Sequence, residues 1–166
     1  MKINFAILAL SALIPLVIGF IYYNNKVLGK AWMSAARLSE ESVKSGNMIL
    51  ILGLTYLFSF MIAMSVNFMV IHHFHLFSIV MGEPDLKDPN SELSLMLKKI
   101  MDFYGNNFRT FKHGAFHGAI AGVFFAMPVV AIGALFERRS FKYVAIHAGY
   151  WIITLILMGG TICAFS

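Results

Sequence analysis

The sequence is short of charge. Asp, Glu, Lys and Arg make up 13% of its 166 residues, against about 25% in soluble domains. Residues 45–82 and 113–136 contain none of the four, and no acid occurs inside any of the long apolar segments. That deficit excludes an ordinary soluble domain and places the chain among membrane proteins. Cysteine is nearly absent too. Cys163 stands alone, so there is no internal disulfide and no cysteine-rich metal site; it reads as a small buried apolar residue near a helix end. A basic polar face is also missing. The net charge of +5 is dispersed between apolar blocks, which argues against nucleic acid and suits anionic lipid headgroups. No phosphate loop, nucleophile motif or zinc-protease signature occurs, and no catalytic residue is assigned.

What is present is apolar sequence in lengths that fit a bilayer. A core of about 30 Å needs about 20 helical residues. Four segments qualify: residues 3–23, 48–68 with the helix continuing to about 75, 113–136 and 143–165. The expected fold is all-α, a single integral membrane domain built as a four-transmembrane-helix bundle. Residues 91–104 add an interfacial amphipathic helix between spans two and three. There Leu93, Met96, Leu97, Ile100, Met101 and Tyr104 fall on one side, with Lys98, Lys99 and Asp102 largely on the other. The first segment is too long for a secretory signal core and has no convincing cleavage site after it. Pro15 and Pro128 should bend their helices.

Small residues mark the faces on which helices meet. In the third segment Gly114, Gly118 and Gly122 recur every fourth residue, and Gly149 is a close-approach position in the fourth. Ser59, Ala63 and Asn67 form a similar row in the second. With four spans, the first and third connections share one side of the membrane and carry seven Lys or Arg; the other side, Lys2 included, carries six. The short, half-basic connection at Glu137–Lys142 tips the assignment: first and third connections cytoplasmic, both termini outside, in a bacterial cytoplasmic membrane.

Topology also sorts the histidines. The second helix ends and the third begins on one side, so His72, His73, His75, His113 and His117 belong near one membrane level, and His147 near the other. His72 and His75 share a helix face, as do His113 and His117. Neutral imidazoles so spaced suit zinc, copper or iron, and an axial pair could instead hold a haem. The expected ligands are His72, His75, His113 and His117, although the bland alternative is interfacial histidines bonded to water, lipid or backbone. Membrane di-iron desaturases use more histidines in several boxes than this chain has. Among intramembrane polar residues, Asn67, His147 and Tyr150 are the most notable; His147, Tyr150, Thr154 and Thr161 line one face of the fourth helix.

Two sets of residues then bring a family to mind. Gly19-Phe20-Ile21-Tyr22-Tyr23, Leu28-Gly29-Lys30-Ala31-Trp32-Met33 and Leu38-Ser39-Glu40-Glu41 form the first; Leu135-Phe136-Glu137-Arg138-Arg139, His147-Ala148-Gly149-Tyr150 and Met158-Gly159-Gly160 form the second. Together they resemble the opening and the last hairpin of the small membrane proteins grouped as domain of unknown function 1761. The middle of the chain, with its histidines, is less typical. The resemblance implies a four-helix bacterial membrane protein and supplies no catalytic residues. Three functional readings follow. The first is a non-catalytic helix-packing protein or subunit, embedded in lipid as a homo-oligomer or within a larger membrane complex, with no cofactor. The alternative is an oligomeric small-solute or ion transporter or channel. The second alternative is a metal- or haem-binding protein using the histidine cluster.

Overall fold

A computed structural model describes residues 3–166; Lys2, counted above, lies outside them. Among the described residues every regular element is helical. Four helical stretches are long and apolar enough to cross a membrane: Phe5–Tyr22, Met48–Val70, Phe111–Phe136 and Phe141–Phe165. The first is α1 (Phe5–Ser11) and α2 (Ile14–Tyr22), separated by a short turn ahead of Pro15. The first connection carries α3 (Gly29–Ala36) and α4 (Glu40–Lys44). Ser39 caps α4, which stops before Gly46, and α5 (Met48–Val70) starts afresh on Asn47. Then come α6 (His73–Ile79), a single tight turn at Pro84–Lys87, and α7 (Glu92–Tyr104), whose start is capped by Ser91. The third stretch is α8 (Phe111–Ala121), a wider π turn at Gly122–Ala126, and α9 (Met127–Phe136); the fourth is α10 (Phe141–Phe165). The π turn lies just before Pro128, where the missing N–H and the bulk of the ring disturb regular winding.

The fourth helix is the hub. Half of the 18-residue apolar window of α10 is buried, against about a fifth for each of the others. The glycine row of α8 lies directly on it. A Cβ on Gly118 would sit 2.6 Å from the carbonyl carbon of Leu155, and one on Gly122 would sit 2.8 Å from the Cα of Ile152. Gly114 and Gly159 meet so closely that a Cβ on either would strike the other's carbonyl oxygen. Backbones approach this closely only where neither residue carries a side chain in the way. Gly149 gives its space to Tyr22, whose Oη lies 2.6 Å from where a Cβ would be. On α5 the row Ser59, Ala63 and Asn67 is wholly buried, and Val66 and Val70 join Leu8, Leu155, Met158 and Ile162 in the core.

Three hydrogen bonds fix which ends lie together. Arg37 Nη2 donates to Arg138 O (3.3 Å) and Arg139 Nη1 to Ala36 O (2.9 Å), joining the first and third connections. At the other end Arg109 Nε donates to Cys163 O (3.1 Å), joining the second connection to the end of α10. Cys163 is fully buried there, as its lone occurrence suggested.

One expectation is corrected. The second helix does not run on to residue 75. It ends at Val70, Ile71 takes an extended conformation (φ −104°, ψ 95°), and α6 begins after His72. Neither proline nor glycine marks the break. Its physical counterpart is burial: the extended step carries Ile71 into the core, 3% exposed, beside Val70 and Cys163.

Candidate metal centre

The break in the second helix turns one histidine toward the third. His72 sits at the corner between α5 and α6. Opposite it, Thr110 opens α8, its Oγ1 accepting from the His113 N–H at 3.2 Å. This cap satisfies a free donor at the helix start and fixes the first turn. His113 and His117 follow one turn apart on the same face, with ring centroids 4.6 Å apart. Three imidazole nitrogens therefore converge. The Nε2 atoms of His72 and His113 are 2.8 Å apart, and those of His117 and His113 are 3.1 Å apart. One ring nitrogen from each of the three lies within 4.8 Å of the others.

Hydrogen bonding among the rings does not fully account for this. A ring nitrogen has either one N–H or one in-plane lone pair. His113 Nε2 meets two partners and can satisfy only one of them well. Three lone pairs aimed at one shared cation would satisfy all of them, and tetrahedral ligands about 2.1 Å from a metal lie about 3.4 Å from each other. Protonation would work against the arrangement. Partial burial holds the His72 pKa below the usual histidine range, and the neighbouring His113, His75 and His73 push it further down. The neutral form is the one that ligates a metal.

The other candidates separate. His75, expected among the ligands, stands one turn along α6. Its ring centroid is 6.2 Å from that of His72, and it does not join the trio. His73 turns the other way, its Nε2 against Gly105 O. His147 lies far off, sixteen residues before Cys163 on α10 and so about 24 Å away along the axis. There it packs against Tyr143 and Tyr23, with Tyr23 Oη 3.3 Å from its Nδ1. Tyr150 donates to Pro15 O (2.9 Å) and Tyr22 to Ile146 O (3.0 Å), so these hydroxyls tie the first and fourth helices together. Asn67 is buried with its Nδ2 unpartnered. Arg109 is one of thirteen Lys or Arg in the sequence, and its place just before the capping Thr110 is the signal that sets it apart.

A bundle of four long apolar helices, with three imidazoles meeting at one end, defines the class of protein. The chain belongs to the family described as protein of unknown function (DUF1761), whose family model matches residues 6–163. That match spans the histidine-rich middle as well as the two ends. No curated protein and no solved structure matches the chain.

Proposed function

We propose that this is an integral membrane protein that binds a transition-metal ion on His72, His113 and His117. The observation that carries the reading is the meeting of three imidazole nitrogens from two separate helices. Three neutral nitrogen ligands suit zinc, copper or iron, and a fourth position would stay open for water or another ligand. A haem fits less well. Its two axial nitrogens lie on opposite faces of the iron, roughly 4 Å apart at about 2 Å each. Those of His72 and His113 are closer, at 2.8 Å.

The membrane setting rests on the four long apolar helices and their exposed apolar surface, including Phe20, Ile49, Phe124 and Phe136. The basic connections on one side, Arg37 with Arg138 and Arg139, favour that side as cytoplasmic. The metal centre then faces outward, with α7 resting on the outer surface. The glycine row that motivates the packing reading is covered by α10; on the polar face that motivates the transport reading, Tyr150 donates to Pro15 O, while His147 Nε2 and Thr154 Oγ1 have no partner among the described residues.

Cobalt(II) tests the reading. Titration of chelator-treated protein in detergent should develop visible d–d absorption that saturates at one equivalent, and His113→Ala should weaken binding at least about 100-fold. No absorption change with cobalt(II), or an unchanged titration in His113→Ala, would sink the proposal.

A further inference from the structure

Beside the histidine trio, on the far side of the α5–α6 corner, lies a cavity of about 290 Å³. Its size sits at the lower edge of the roughly 300–1,000 Å³ that small-molecule sites occupy. Its walls are of two kinds. Ile71, Phe74 and Phe77 make an apolar side; Asn67 and Arg109 bring hydrogen-bond donors. Asn67 is 1% exposed and its Nδ2 has no partner. Buried amide donors are normally satisfied, so an orphan on a residue of the cavity wall calls for an acceptor. Ser166 Oγ, also on the wall, is a second buried group without a partner. Arg109 uses Nε on Cys163 O, and among the described residues no carboxylate lies within 4.0 Å of its guanidinium. Its two Nη groups remain for a ligand. Arg109 is the one Lys or Arg on this wall, which His73 also lines, so the cavity offers a single fixed positive charge.

We infer that this cavity binds a small aliphatic monocarboxylate. The carboxylate oxygens accept from the Arg109 Nη groups and the Asn67 Nδ2, and the hydrocarbon lies against Phe74 and Phe77. A guanidinium matches a carboxylate with two parallel hydrogen bonds. One charge suits a monoanion better than a dianion such as phosphate, and the phenyl side chains favour an apolar body. This site shares no residue with the trio and stands independently of the metal reading.

Hexanoate is the probe, with hexan-1-ol and inorganic phosphate as comparisons. Full-length protein in lipid nanodiscs would be titrated calorimetrically, with protein-free nanodiscs as the blank. Saturable binding of hexanoate, at least tenfold weaker binding of the alcohol and of phosphate, and at least a tenfold loss in Asn67→Leu are expected. Arg109→Gln is the second variant, because its amide can still donate to Cys163 O; it should show the same loss if Asn67→Leu fails to fold. Cobalt(II) binding should be unchanged in both. The inference is overturned by non-saturable hexanoate heats, by phosphate or hexanol binding as tightly as hexanoate, or by hexanoate binding that survives both substitutions.

Discussion

Gly118 shows how a single residue decides the packing. Its missing side chain lets α8 settle on the backbone of α10, with Ile156 Cα 2.9 Å from where a Cβ would stand. Gly118→Ala should therefore destabilise the fold by about 1–3 kcal/mol, the usual cost of overpacking. Thermal unfolding in detergent, followed by tryptophan fluorescence, would measure it. Gly133 is the internal control: nothing lies within 4 Å of its Cβ position. Gly133→Ala should be neutral or stabilising by up to about 1 kcal/mol, since alanine is the better helix former. A Gly118→Ala protein as stable as Gly133→Ala would refute the close approach. Tyr150→Phe should cost about 1 kcal/mol by removing the bond to Pro15 O while keeping the ring. The four-residue spacing of the glycines made their shared face legible in the sequence. Spacing alone does not say which helix covers that face, so an assembly of several chains was as natural a reading as the fourth helix of the same chain.

Among the elements, the corner between α5 and α6 matters most to the site. No charged residue occurs between Ser45 and Gly82, and neither a glycine nor a proline announces the corner. For that reason the helix was expected to continue to residue 75, with His72 and His75 serving together. The extended step at Ile71 instead directs His72 toward α8 and leaves His75 outside. The corner also sets a pH dependence. The folded chain holds the His72 pKa below its usual value of 6.5. On acidification the unfolded chain takes up its proton first, so the fold loses stability as pH falls from 6.5 toward the lower folded value. Protons displace metal over the same window. Cobalt(II) affinity should fall as the pH drops below 6.5, and His72→Ala should flatten the stability profile there. A wild-type profile that rises on acidification would contradict this account.

At the scale of the whole molecule, composition alone marked the chain as a membrane-class bundle, and the four apolar stretches fall within a few residues of their expected bounds. The convergence of histidines at one end follows from span order, and so does the isolation of His147. The cavity beside Arg109 was not legible, because it depends on the corner at Ile71 and on the last turn of α10 meeting in space. The same span order predicts that single cysteines at Ser42 and Asn90, in a Cys163→Ser background, will react with a membrane-impermeant maleimide from opposite sides. Labelling of both from one side would remove the four-span arrangement. The most direct measurement is the metal content of protein purified without chelators, by mass spectrometry of the elements. The account predicts about one transition-metal ion per chain in the wild type, and loss of that ion in His113→Ala with the fold intact. A metal-free wild type that also takes up no added cobalt(II), zinc or copper, or an equal metal load in the variant, would contradict it.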